Sequence, residues 1–166
     1  LDNVIPNVAK SLEGEVEFVI FGDGGKKKEL ETKIEAARLT NVTLSPPVKR
    51  EQLFEEYKKA DILFLHLNDY AAFKKVLPSK IFEYAATGKP IIAGVGGYAA
   101  KFLRENVSGA IVFQPKNEEQ FILAIKDILK LNRIFDRSIF SKKFLRKNIM
   151  SRMAIDINHL LDDHSI

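Results

Sequence analysis

The sequence predicts an α/β fold, a Rossmann-like three-layer α/β/α sandwich with a parallel sheet. Five short apolar runs, rich in β-branched residues, recur along the chain, and segments with helical spacing of apolar residues separate them. The runs lack the polar alternation of a half-exposed sheet, which is typical of parallel strands buried on both faces. Strand–helix–strand units around a parallel sheet explain both observations.

The predicted elements alternate along the chain. Strands are expected at residues 16–21, 41–44, 61–67, 90–95 and 109–113, and helices at 26–39, 51–59, 80–87, 99–105 and 118–131. A last helical pattern, 138–161, either folds back on the domain or belongs to an interface with something else. Sites of parallel α/β sheets lie at the carboxyl ends of the strands, so the loops that follow the strands are the ones to search.

Length and composition limit the class of protein. A chain of 166 residues with 46% hydrophobic residues can bury one core, which predicts a single domain over residues 1–166. The net charge of +4 allows an anionic ligand but is too small for a nucleic-acid binder, so no nucleic-acid partner is expected.

The absence of cysteine excludes disulfides and thiolate metal sites, and it agrees with a reducing compartment. No apolar run approaches the roughly 20 residues of a membrane span, and no signal-peptide pattern opens the chain. We therefore expect a cytoplasmic protein. The first residue is Leu1 and not a methionine, which suggests a piece of a longer protein.

Two loops carry weaker signals. In "FGDGGKKKELE", Gly22 and Gly24 precede a lysine-rich helix start, where a backbone can approach a ligand closely and helix-start amides favour an anion. Lys27 stands where the dinucleotide fingerprint needs its third glycine, so a tight turn and a ligand loop both remain open. In "SPPVKREQLFEEYKKAD", Val48 follows two prolines and precedes an amphipathic helix, whose buried face is expected to include Tyr57.

The stretch "LPSKIFEYAATGKPII", residues 77–92, is the most informative. Ser79 is the predicted N-cap of a helix, and Glu83, four residues later, shares its face and leans toward the helix start. One helical turn is about 5.4 Å, roughly the separation of a ribose diol from its phosphate. A diphosphate could bind the amides near Ser79 and Lys80 while Glu83 accepts hydrogen bonds from the ribose hydroxyls. A carboxylate that only complements the helix dipole is the alternative.

Other polar residues give no catalytic pattern. His66 ends a strand, where a core or rim histidine is the simpler interpretation, and no nucleophile with a base or metal-ligand spacing is present. The tail is basic, with Lys142, Lys143, Arg146, Lys147 and Arg152 close together. Such a helix face is either solvated or rests on anionic lipid.

Three ordered motifs resemble the carboxy-terminal, donor-binding half of retaining GT-B glycosyltransferases of the E-x7-E group. "FEYAATGKPIIAG" is similar to the family's L-E-A-M-A-x-G-x-P-V-[IV]-A, and "VIFGDGGKKKELE" to V-G-D-G-P-x-x-x-x-L. "NVTLSPPVKREQLFEEYKKADILFL" resembles N-V-x-F-x-G-x-V followed by a helix and A-D-[VI]-x-[VL]. The resemblance extends from about residue 2 to residue 131.

The resemblance implies roles for particular residues. Glu83 falls on the second glutamate of the signature, which binds the ribose of the sugar nucleotide. The loop from Val76 to Lys80, with Leu77 and Ser79, replaces the family's G-F-G-L, whose amides hold the diphosphate. Val48 falls where main chain meets the base, and Gly22 and Gly24 match glycines near the donor.

One position departs from the family pattern. The first glutamate of E-x7-E, which contacts the donor sugar, is replaced by Lys75. The P-S-K before E-Y is similar to bacterial transferases of surface-polysaccharide synthesis, such as the fucosamine transferases. The basic residues that relatives place on an upstream strand and helix are not evident in this chain.

The resemblance implies a transferase that moves a sugar, with retention, from a nucleoside-diphosphate sugar to a lipid-linked or saccharide acceptor. It needs no metal or cofactor, and an amino-terminal acceptor domain absent from this chain would complete its site. No catalytic residue is assigned. Two alternatives remain: a sugar-nucleotide epimerase of GT-B architecture, and a nucleotide-binding module without catalysis. A location at the inner face of the cell membrane would suit a lipid-linked acceptor.

Overall fold

The computed structural model describes residues 1–131 and 133–162 and has the predicted α/β architecture. The strands are β1 (Phe18–Phe21), β2 (Val42–Ser45), β3 (Leu63–His66), β4 (Ile91–Gly94) and β5 (Ala110–Phe113). The helices are α1 (Ile5–Ser11), α2 (Lys27–Ala36), α3 (Arg50–Lys59), α4 (Lys80–Ala86), α5 (Gly97–Asn106), α6 (Glu118–Ile128), α7 (Ser138–Phe144) and α8 (Arg146–Asp162), with a 3₁₀ helix at Ala71–Lys75.

All strand pairs are parallel, but their hydrogen bonds form two sheets and not one. β1 pairs with β2, and β4 lies between β3 and β5. Apolar packing bridges the two sheets, because the ring of Phe121 in α6 lies 6.4 Å from that of Phe18 in β1 and 4.7 Å from that of Phe64 in β3. One helix thus holds both sheets in a common core.

Successive strand residues face opposite layers, as the period of two requires. In β4, Ile91 and Ala93 pack with α3, α4, α5 and α7, whereas Ile92 between them packs with α1, α2 and α6. β3 divides its side chains in the same way. The three-stranded sheet therefore has a helical layer on each face, whereas Val19 and Thr43 on one face of the first sheet are exposed.

A buried asparagine attaches α1 to the first sheet. The Asn41 Nδ2 donates to the carbonyls of Ala9 at 2.9 Å and Val16 at 3.0 Å, and the amide of Phe18 donates to the Asn41 carbonyl at 2.9 Å. The asparagine of the "NVTL" motif thus has a structural role at the start of β1.

The predicted helix over residues 138–161 is two helices, because Leu145 is extended (φ −60°, ψ 126°) and separates α7 from α8. The break lets Phe140 and Phe144 turn toward the domain, where their rings lie 6.1 Å and 5.6 Å from that of Phe82. α7 therefore folds back on the domain, whereas every residue of α8 from Ile149 to Leu160 is exposed.

Buried Arg137 fixes the start of α7. Its Nε and Nη2 donate to the carbonyl of Ser108 at 2.9 Å and 2.6 Å, and its Nη1 lies 3.4 Å from that of Ala85. Burial lowers the pKa of Arg137 to about 10, so it stays protonated at neutral pH. No helix in the described part of the chain is long and apolar enough to cross a membrane.

Candidate functional site

Parallel pairing brings the glycine loop and the proline loop together at the carboxyl edge of the first sheet. Phe21 pairs with Ser45, and the Gly22 amide donates to the Ser45 carbonyl at 3.1 Å. A Cβ placed on Gly22 or Gly24 would meet no protein atom within 4 Å. Packing within the described chain requires neither glycine, but a φ of +157° favours glycine at position 22 whatever its surroundings, so of the two Gly24 alone lacks a structural reason there.

Val48 lies half-buried two residues before the start of α3. The resemblance implies that main-chain atoms of Val48 contact the nucleotide base. The loop that carries Val48 follows β2 at the same sheet edge as Gly22. No hydrogen bond or ion pair within residues 1–131 and 133–162 joins either loop to the start of α4. The structure therefore brings the loops of Gly22, Gly24 and Val48 together at one sheet edge, and the start of α4 is a separate group of candidate residues.

The start of α4 differs from the prediction at Ser79. The structure places this residue at the N-cap position, but its side chain makes no capping bond. Its backbone already has helical angles (φ −58°, ψ −27°), whereas a capping side chain needs an extended backbone at that position. The exposed Ser79 hydroxyl is therefore not used in capping, while Leu77 just before it is half-buried and packs against the core.

Lys80 lies at the centre of a group of side chains from two helices. Its Nζ donates to the Tyr57 hydroxyl at 2.8 Å and lies 3.4 Å from the Glu83 carboxylate. The same Nζ lies 5.5 Å from the centre of the Tyr57 ring and 5.9 Å from that of Tyr84, within cation–π range. The rings of Tyr57 and Tyr84 pack edge to face with their centres 5.1 Å apart, so each holds the other in place beside the ammonium group.

Tyr57 is buried, as predicted for the apolar face of α3, but its hydroxyl contact with Lys80 was missed. The two residues are 23 positions apart, and no local pattern links them. A tyrosine on a helix face predicted to be buried is the only sequence signal, and it is a weak one.

Surrounding groups shift the pKa of two members of this cluster, Lys80 and Tyr84. Burial by itself lowers the pKa of Lys80, but the hydrogen bond with Tyr57 and the nearby Glu83 carboxylate outweigh it and raise that pKa overall. Burial, followed by the neighbouring Tyr57 and Glu83, raises the pKa of the Tyr84 phenol. At neutral pH Lys80 is therefore a cation beside the neutral phenol of Tyr84.

Glu83 lies one turn into α4, as predicted, and its side chain is 30% exposed against 38% for Lys80. Its carboxylate forms an i,i+3 pair with Lys80, so the helix dipole is not its sole partner. Partly exposed pairs of this kind contribute about 0.3–0.5 kcal/mol, and a bound ligand can readily rearrange them. Ser79, Lys80 and Glu83 thus lie together on one accessible helical turn.

His66 ends β3 among aromatic rings. Its ring lies 6.1 Å from that of Phe64 and 6.5 Å from that of Phe113, and its Nε2 is buried without a hydrogen-bond partner among the described residues. Burial lowers the pKa of His66 to about 4, so the imidazole is neutral at pH 7. The simpler interpretation, a core or rim histidine, fits this environment.

Gly94 has a steric reason to be glycine. A Cβ at this position would lie 2.6 Å from the ring of Phe113 and 2.7 Å from that of His66. The glycine therefore lets the rings on β3 and β5 close over the end of β4.

The 3₁₀ helix, which the sequence did not predict, leads to the start of α4. Lys75 is the last residue of this 3₁₀ helix and is exposed, and the Lys74 Nζ lies 3.3 Å from the Asp69 carboxylate. Gly97, at the start of α5, has φ +59°, and a Cβ there would lie 2.1 Å from the Lys74 carbonyl oxygen. The segment that carries Lys75 is therefore held against α5 at a point where only glycine fits.

The start of α4 is accessible to solvent, with Ser79 exposed and Lys80 and Glu83 partly exposed. Two surface depressions lie elsewhere, one along residues 115–119 and another between Phe54, Lys58 and Thr87, and neither includes Ser79, Lys80 or Glu83. Within residues 1–131 and 133–162, no three His, Cys, Asp or Glu side chains are grouped so that they could hold a metal ion.

The alternating parallel strands and helices define a Rossmann-like α/β domain, consistent with one half of a GT-B fold. The family model described as "Glycosyl transferases group 1" matches residues 1–143, and the chain belongs to that family. The match covers all five strands, the start of α4 and most of α7, and leaves α8 outside. Among curated proteins, none matches this chain.

Proposed function

We propose that this chain is the donor-binding domain of a retaining glycosyltransferase. It binds a nucleoside-diphosphate sugar, whose sugar is transferred to a lipid-linked or saccharide acceptor in bacterial surface-polysaccharide synthesis. The observation that carries the proposal is the grouping of Ser79, Lys80 and Glu83 on one accessible turn, in a chain of this transferase family.

In this proposal the diphosphate lies against the first amides of α4 and the Lys80 ammonium group. The amides of Ile81 and Phe82 already donate to the carbonyls of Pro78 and Ser79, which leaves those of Ser79 and Lys80 for the ligand. A phosphate near Lys80 draws this cation away from Glu83, whose carboxylate then accepts hydrogen bonds from the ribose hydroxyls. The Tyr57 hydroxyl keeps the ammonium group oriented meanwhile.

Transfer separates charge, because the sugar leaves a nucleoside diphosphate. Fixed donors aimed at the developing negative charge favour that step, and here they are Lys80 and the helix-start amides. We assign no base, because the resemblance identifies none in this chain.

The test is the variant Glu83→Gln, which keeps the shape of the side chain and removes its negative charge. Hydrogen bonds to charged groups contribute about 1.5–3 kcal/mol, so nucleotide affinity should fall by roughly one to two powers of ten. Uridine, guanosine and thymidine diphosphates are first compared by thermal shift, and the best ligand is then measured by calorimetry. The 2′-deoxy form should bind the original chain more weakly and lose less affinity in Glu83→Gln.

Glu105→Gln is the matched control, because Glu105 is also a helical carboxylate paired with a lysine, Lys101, at 3.9 Å. Both variants should have nearly the original stability, and only Glu83→Gln should lose affinity. Equal ribonucleotide binding by Glu83→Gln and the original chain would make Glu83 a structural partner of Lys80 and remove the main support for this function.

A further inference from the structure

Tyr57 lies beside the start of α4, although it belongs to α3. Only 6% of the residue is exposed, and its ring packs edge to face with those of Phe54 at 5.8 Å and Tyr84 at 5.1 Å. A phenol that is packed in this way loses little freedom when its hydroxyl accepts a hydrogen bond. The acceptor that Tyr57 offers to Lys80 is therefore fixed in space before any ligand arrives.

The contact with Tyr57 distinguishes Lys80 from the lysines of α3. Lys58 and Lys59 each pair with a glutamate of their own helix at 2.7 Å, and both side chains are 70% exposed. The Lys80 Nζ instead donates to a second helix, at 2.8 Å, and 38% of its side chain is exposed. A lysine that is held from another element has fewer conformations to lose when it binds an anion.

The two polar contacts of the Lys80 ammonium group differ in kind. Glu83 is a charged partner at 3.4 Å, and a phosphate can take its place because both are anions. Tyr57 offers a hydroxyl oxygen at 2.8 Å, on the buried side of the ammonium group. Since an ammonium group has three donors, Lys80 can keep the bond with this hydroxyl while it donates to a phosphate.

We infer that Tyr57 is a positioning residue: its hydroxyl fixes the Lys80 ammonium group where a diphosphate binds, without touching the ligand itself. The inference rests on the proposed function, since it needs a diphosphate beside Lys80. The rings of Tyr57 and Tyr84 attract the same Nζ, which lies 5.5 Å and 5.9 Å from their centres, but they offer it no single acceptor atom. The hydroxyl adds direction, so its loss alone weakens the binding of diphosphates.

The test is a cycle of four chains: the original, Tyr57→Phe, Lys80→Gln and the double variant. Calorimetry uses whichever of uridine, guanosine and thymidine diphosphate the original chain binds best. Lys80→Gln removes a charged hydrogen bond and should lower affinity about 10- to 100-fold. Tyr57→Phe keeps the ring and should lower affinity about two- to tenfold, because Lys80 must then be ordered on binding. In the Lys80→Gln background the same change should have no effect, because Tyr57 acts through Lys80.

The pKa of Lys80 reports the positioning in the chain without ligand. Burial lowers this pKa, and the hydrogen bond with Tyr57 is foremost among the contacts that raise it. Tyr57→Phe should therefore lower the pKa, as measured by NMR titration of the lysine Cε carbons. The signal of Lys80 is the one that Lys80→Gln lacks. Tyr98→Phe, at an exposed tyrosine of α5, is the control and should change neither the affinity nor the pKa of Lys80.

The outcomes separate this inference from the proposed function. Equal affinity of the original chain and Tyr57→Phe, or an unchanged pKa of Lys80 in that variant, would overturn the inference and leave the proposed function intact. An equal loss of affinity with and without Lys80 would also overturn it, because Tyr57 would then act independently of the lysine. If the original chain binds none of the three diphosphates, the proposed function fails and the inference fails with it.

Discussion

At the scale of single residues, His66 links the packing of β3 to the pH dependence of stability. The folded chain holds the pKa of this imidazole near 4 against the ordinary 6.5, chiefly because burial disfavours the cation. The unfolded chain therefore binds more protons between these pH values, and stability falls as the pH is lowered through that window. The full shift corresponds to about 3 kcal/mol, which partial exposure of the ring reduces to about 1–2 kcal/mol.

We expect His66→Gln to reduce the loss of stability between pH 7 and pH 4.5 by that amount, since glutamine does not titrate. Urea unfolding at the two pH values measures the difference. Exposed His159 provides the control, because His159→Gln should leave the pH dependence of the original chain unchanged. An unaltered pH dependence in His66→Gln would show that the imidazole is solvated in the folded chain.

At the scale of elements, two separate effects favour glycine where the 3₁₀ helix contacts α5. One is the left-handed backbone of Gly97, and the other is its close approach to another backbone. Gly97 and Gly14 both have positive φ, +59° and +81°, but only Gly97 approaches another backbone, the carbonyl of Lys74. Gly14→Ala should therefore cost about 1–2 kcal/mol for the left-handed backbone alone. Gly97→Ala should cost about 1–3 kcal/mol more, for the displaced contact.

Urea unfolding measures both costs, and the rate of trypsin cleavage after Lys74 and Lys75 reports whether the 3₁₀ helix has moved. Faster cleavage is expected in Gly97→Ala and not in Gly14→Ala. Equal costs and equal cleavage in the two variants would mean that the contact with α5 does not hold this segment in place.

The elements also show what sequence patterns can predict. The type and order of the strands and of helices α2 to α6 followed from apolar periodicity, because buried parallel strands and amphipathic helices have different periods. The 3₁₀ helix at 71–75 was missed because five residues are too few to show a period. The break at Leu145 was missed because no proline or glycine marks it; it depends on the tertiary contacts of Phe140 and Phe144.

The candidate site was predictable only where it is local. Helical spacing alone places Ser79, Lys80 and Glu83 on one turn, and the structure has them there. The prediction that Ser79 caps the helix with its side chain was wrong, since the serine backbone is already helical. The hydroxyl of Tyr57 reaches Lys80 only because α3 packs beside α4, which no local pattern encodes. The roles of Gly22, Gly24 and Val48 remain predictions.

At the scale of the whole molecule, binding and transfer make different demands on the site. Apolar packing on both faces of the three-stranded sheet holds the start of α4 in place. Transfer also requires that water be excluded around the reacting sugar. Ser79 is exposed, and the side chains of Lys80 and Glu83 are 38% and 30% exposed. In the proposed architecture the described surface therefore supplies one wall of the donor site.

We accordingly predict that this chain binds a nucleoside diphosphate and does not transfer sugar, because the second wall of the cleft, an acceptor-binding domain in the proposed architecture, is not among the described elements. Calorimetry checks binding, and a coupled assay for released nucleoside diphosphate checks turnover with each nucleotide sugar. Glu83→Gln provides the baseline, since it should weaken binding and leave the background hydrolysis unchanged. Release that rises with a saccharide or lipid-linked acceptor, and falls in Glu83→Gln, would show that this open surface catalyses transfer by itself.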